Sequence, residues 1–157
     1  MLSLNLTPFQ LSDPVFADVK LSSSLTQTEI DLINSSNLLI SLLHAFIDKG
    51  NKLTEGSANV YGGSEIELNK TGTEFVRLLG HELGHFYDDQ IKKELNGESS
   101  TFAKIIDYEM DESQATAISF IIRQQIKLTT TDTDVRISNR IGYFTADDTL
   151  GACRRKA

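Results

Sequence analysis

Cysteine is almost missing from this sequence: Cys153 stands alone among 157 residues, which excludes any internal disulfide and leaves the redox compartment open. Basic charge is scarce as well. Fifteen Lys and Arg face 22 Asp and Glu, for a net charge of −7, and this argues against a general affinity for nucleic acid or anionic lipid. The short basic run at Arg154–Lys156 reads as a solvated tail. Long apolar runs are lacking too. The longest, NLLISLLHAFI from Asn37 to Ile47, is broken by Ser41 and His44 and falls well short of the ~20 residues that span a bilayer, so a soluble chain without a membrane partner is expected. No basic start followed by an apolar core opens the chain, so no secretory signal peptide is expected. Repeats and low-complexity blocks are absent.

What remains is the pattern of one small domain. Both prolines, Pro8 and Pro14, fall in residues 1–24 together with the run Ser22–Ser24, and this stretch reads as an extended, loosely attached leader before a domain spanning 25–157. From Thr26 to Lys49, apolar residues at Ile30, Ile33, Leu38, Leu42, Ala45 and Phe46 predict one helix, opened by a Thr26/Glu29 capping box and closed at Gly50. His44 within it reads as a packed or half-exposed histidine. The stretch SANVYGGSEIELNKTG predicts a short hairpin or edge strand around Gly62–Gly63. A second box, Thr71/Glu74, predicts a helix running to about Leu95, and SSTFAKIIDYEMDESQATAISFIIRQQIKL predicts another.

The first of those two helices carries the chemistry, in the run HELGH from His81 to His85. Residues four apart share a helix face, so two imidazoles converge on one point and can grip one metal ion. Glu82 projects about 100 degrees around the axis from His81, out of the ligand set yet beside the position a metal-activated water would take. This is the physical content of the HExxH pattern, with Zn2+ as the expected metal and Glu82 as general base. Gly80 and Gly84 each cost about 1 kcal/mol relative to Ala inside a helix, and they make sense where another backbone passes close.

A catalytic zinc site takes three protein ligands and keeps a position for water. No histidine follows His85, so the third ligand must be a carboxylate, and the run DYEMDESQA offers Asp107, Glu109, Asp111 and Glu112. Glu112 heads a one-sided stripe through Ala115, Ser119, Ile122 and Ile126, at the end of a face expected to pack on the core. Glu109, one turn earlier, is its rival. The alternative reading of any of these acids is a solvated helix start favoured by the macrodipole.

HExxH, a short gap, an acidic pair before a small residue and a late Arg-x-x-Tyr together resemble the type III secreted zinc protease effectors of bacterial pathogens and the metallopeptidase domains of polymorphic toxins. The resemblance spans roughly residues 25–147, and it implies that Glu112, in Asp111-Glu112-Ser113-Gln114-Ala115, is the third zinc ligand. It also aligns Arg140-Ile141-Gly142-Tyr143 with the Arg-x-x-Tyr element, which implies that Arg140 and Tyr143 stabilise the tetrahedral oxyanion as hydrogen-bond donors. The alternatives are a surface charge at Arg140 and a packed aromatic at Tyr143.

The expected fold is therefore a small α+β, zincin-like metallopeptidase domain, mostly helical with a short edge sheet. A strand near Ser64–Asn69 would align an extended protein substrate. The resemblance implies a secreted or translocated bacterial effector or toxin, with an immunity protein or chaperone as partner. The competing expectation is a zinc-binding interaction module without turnover.

Overall fold

The computed structural model describes residues 4–19, 24–94 and 101–129, with side chains described for 4–19, 24–90 and 112–128. It is a small α+β domain. Helix α1 spans Gln27–Asn34 and α2 spans Asn37–Asp48; strands β1 (Lys52–Glu55), β2 (Val60–Tyr61) and β3 (Glu65–Leu68) follow; α3 (Gly72–Glu94) and α4 (Thr101–Thr129) complete it.

The helix expected over Thr26–Lys49 is two helices, bent by 104° at Ser35–Ser36. Apolar periodicity continues across the break, which is why the sequence reads as continuous. The polar side chains decide otherwise: the Ser35 hydroxyl donates back to the Leu32 carbonyl at 2.6 Å, and the Ser36 hydroxyl accepts the Leu39 N–H at 3.1 Å as the N-cap of α2. Such local bonds compete with helix propagation. From α4, the Gln125 Oε1 accepts both the Ser36 hydroxyl (2.6 Å) and the Leu38 N–H (3.0 Å), fixing the corner. The Thr26/Glu29 capping box is present, and α2 gives way at Gly50, with φ of +80°. Among the described residues, no single helix is long and apolar enough to cross a membrane.

Residues 4–19 do not hang loosely. Phe9, Phe16 and Val19 are buried in the core, and the Asn34 amide brackets Phe9, accepting its N–H and donating to its carbonyl, both at 2.8 Å. A 3-10 turn at Pro14–Phe16 shapes the segment. His44 is half-buried as expected: its ring stacks on Phe9 at 4.2 Å and its Nε2 meets the Thr7 carbonyl at 2.8 Å. Three large apolar side chains were enough to dock this segment although its backbone is mostly irregular.

The three strands form one sheet in the order β1-β3-β2. β1 runs parallel to β3, with Leu53 opposite Ile66, and β2 runs antiparallel to it, with Tyr61 opposite Ile66. The expected hairpin is thus present, but Glu65–Leu68 is the central strand and not an edge. The edge next to α3 is β2. β1 escapes a sequence reading because one buried residue, Leu53, carries its pattern, and its partner lies beyond a crossover.

The core lies between α1, α2, the sheet and the α3/α4 pair. Phe75, Leu79, Leu83 and Phe86 form the buried stripe of α3, and Phe86 meets Phe46 of α2 edge-to-face at 5.3 Å. Glu29 links α1 to α3: its carboxylate accepts the Thr26 N–H at 2.8 Å and the Gly72 N–H at 3.0 Å, where α3 begins. Burial pushes the Glu29 pKa up, but hydrogen bonds from the Thr26 hydroxyl, the Thr26 and Glu29 backbones and the Gly72 N–H outweigh it and hold the carboxyl below its ordinary value.

Candidate metal centre

Two antiparallel helices build the site. α3 presents His81, Glu82 and His85, and α4 crosses it so closely that Gly80 packs on Ile122 and Gly84 on Ala115. At Gly84 the approach is backbone to backbone: a Cβ there would stand 2.7 Å from the Ala115 Cα and 3.1 Å from its carbonyl oxygen. At Gly80 a Cβ would meet the Ile122 Cδ1 at 3.1 Å. Close crossing is what brings Glu112, less than one turn before Ala115, over the histidine face of α3.

There the Glu112 carboxylate lies 3.1 Å from the His85 Nε2 and 3.7 Å from the His81 Nε2. One donor atom from each of the three residues falls within 4.8 Å of the others. Ligands about 2.0–2.2 Å from a tetrahedral ion stand roughly 3.3–3.6 Å apart, so these separations suit one ion shared by all three. The imidazole planes are perpendicular, with ring centroids 4.8 Å apart, and both rings keep 13% side-chain exposure, so the Nε2 side opens to solvent while each Nδ1 is buried. Two imidazole nitrogens and one carboxylate form a donor set for a divalent transition metal. The expected triad of His81, His85 and Glu112 is therefore assembled and can hold a metal ion.

Glu82 is buried at 7% exposure, and its Oε2 accepts the Tyr61 N–H of β2 at 2.8 Å. It still lines the same cleft as His81 and His85. That cleft, about 530 Å³, is lined by Asn59–Gly63 around β2, by His81, Glu82, His85, Asp88 and Asp89 of α3, and by Glu112 of α4. Among the described residues its lining carries four carboxylates and no Lys or Arg, a field that favours a cation.

Sequence reasoning missed Tyr61, Asp88 and Asp89. The two aspartates sit three and four residues after His85, so helical spacing alone puts them on the histidine side. Tyr61 had no local signal, since its partner lies on another element. Its hydroxyl donates to the Asp89 Oδ2 at 2.9 Å. Arg140 and Tyr143 lie outside the described residues, as does Cys153; Asp107, Glu109 and Asp111 lie on α4 without described side chains.

No protein-family model matches the chain, and neither a curated protein nor a solved structure matches it. The chemistry of the site accordingly rests on its own geometry.

Proposed function

We propose that this domain is a zinc-dependent metalloendopeptidase. The observation that carries the reading is the convergence of His81, His85 and Glu112 in an open cleft that also holds Glu82, a carboxylate outside the triad but one position along the same helix. The donor set also suits Fe(II) in oxygenases. The adjacent Glu82 favours hydrolysis, because hydrolysis needs a proton carrier at this place and a purely structural metal site does not.

His81 Nε2, His85 Nε2 and the Glu112 carboxylate would hold the ion. When bound, zinc supplies Lewis acidity, activating water and polarising a carbonyl. The Glu82 carboxylate takes a proton from water as oxygen adds to the scissile carbonyl carbon, and returns it to the nitrogen as the C–N bond breaks. The β2 edge along the cleft is suited to an extended peptide, taking the part first expected of the strand near Ser64–Asn69. Arg140 and Tyr143 keep the oxyanion-stabilising role that the sequence resemblance implies. The same resemblance supports an effector or toxin acting on a target-cell protein, with an immunity protein or chaperone as partner.

The test is casein cleavage by zinc-loaded protein against Glu82→Gln. Loss of a general base lowers turnover by about 10²–10⁴-fold, and the variant should keep one zinc per chain. Equal inertness of both proteins, each holding zinc, would replace the peptidase by an interaction module.

A further inference from the structure

Strand β2 has two sides that do different work. Val60 stands opposite Glu67, and Gly62 donates its N–H to the Glu65 carbonyl at 2.9 Å, so this side of the backbone belongs to β3. Alternation along a strand then turns the Tyr61 N–H outward, away from the ladder. That outward N–H is the one that reaches the Glu82 Oε2 at 2.8 Å.

Tyr61 is tied to α3 at two further points. Its hydroxyl donates to Asp89, and its ring meets Phe86 edge-to-face with centroids 6.2 Å apart. Glu82, Phe86 and Asp89 all belong to α3, so one residue of the edge strand is registered against two turns of the helix that carries the histidines. A buried carboxylate needs a donor to offset its lost hydration, and a glutamate side chain has rotamer freedom that a fixed backbone donor removes.

We propose that Tyr61 is a positioning residue whose peptide N–H fixes the Glu82 carboxylate beside the His81–His85–Glu112 group. The proposal rests on the peptidase reading for its catalytic consequence, but the contact itself can be tested without turnover. It differs from a side-chain role in one respect: the donor survives most substitutions at position 61 and disappears with proline or with an ester in place of the amide. Neither change removes a ladder hydrogen bond, since the lost N–H points away from β3.

Two measurements decide it. The first is hydrogen exchange at the Tyr61 amide, followed by NMR in the wild-type chain and in Glu82→Ala. Exchange should be at least about tenfold faster in the variant; equal rates overturn the proposal even if the protein cleaves nothing, a separate result that would count against the peptidase itself. The second is steady-state cleavage by Tyr61→Pro and by protein carrying the α-hydroxy acid analogue of tyrosine at 61. With zinc bound at wild-type stoichiometry, kcat should fall roughly tenfold to a hundredfold at nearly unchanged KM, as expected when a reacting group is misplaced and not removed. Unchanged kcat in the ester protein, which keeps the tyrosine side chain and its contacts, overturns the proposal.

Discussion

Gly84 of α3 and Ala115 of α4 touch through their backbones, and a Cβ at position 84 would stand 2.7 Å from the Ala115 Cα. Glu112 belongs to the same turn region of α4 as Ala115, so the distance between the two helices also sets how far the Glu112 carboxylate stands from His81 and His85. Any residue larger than glycine at 84 must push α4 outward.

Gly84→Ala is therefore expected to destabilise by about 1–3 kcal/mol through overpacking and to weaken zinc binding together with stability. Gly80→Ala is the internal comparison. Its Cβ would meet only the Ile122 side chain, closest at the terminal Cδ1 at 3.1 Å, which can rotate away, and alanine gains about 1 kcal/mol of helix propensity. Urea midpoints should fall clearly for Gly84→Ala and little for Gly80→Ala. Equal shifts would contradict the backbone contact.

Glu29 makes a second prediction, about acid. Its folded-state pKa lies below the ordinary 4.5, held there by hydrogen bonds from Thr26 and Gly72 despite burial. A lowered carboxyl pKa contributes stability that is fully present above the unfolded value and is lost as pH falls through the folded one. Glu29→Gln should thus be less stable than wild type at neutral pH, by about 1 kcal/mol as for a lost helix cap, and the gap should close as pH falls below the ordinary carboxyl value and through the lower folded-state one. Chemical denaturation from pH 7 to pH 3 measures it; a gap constant with pH would mean that the charge of Glu29 contributes nothing.

Tyr143 provides a third. If it donates to the oxyanion, Tyr143→Phe keeps one zinc per chain and loses about 10²–10³-fold in kcat. Undiminished cleavage by the variant would remove Tyr143 from the mechanism.

Much of the site was legible because it is encoded locally. The histidine pair and Glu82 follow from helical spacing alone, and the stripe behind Glu112 is buried as its spacing implied, with Ala115, Ser119, Ile122 and Ile126 all buried. Gly80 and Gly84 signalled a close neighbour before that neighbour was known. What the sequence concealed was non-local. Parallel pairing of Lys52–Glu55 with Glu65–Leu68 depends on a crossover, and without it the central strand looks like an edge. The corner at Ser35–Ser36 is decided by side-chain hydrogen bonds, partly to Gln125 some ninety residues away, and apolar periodicity does not register them. The burial of Phe9 and Phe16 likewise depends on a surface formed by distant helices.

The proposed chemistry requires one divalent ion held jointly by two imidazoles of α3 and one carboxylate of α4. Isothermal titration of metal-free protein with zinc, for wild type and for His81→Ala, His85→Ala and Glu112→Ala, tests it most directly. One site per chain is expected in the wild type, with a loss of at least about tenfold in affinity for each variant, Glu112→Ala included, since each removes one of three ligands. Absence of stoichiometric zinc in the wild type, or an affinity indifferent to Glu112→Ala, would contradict it.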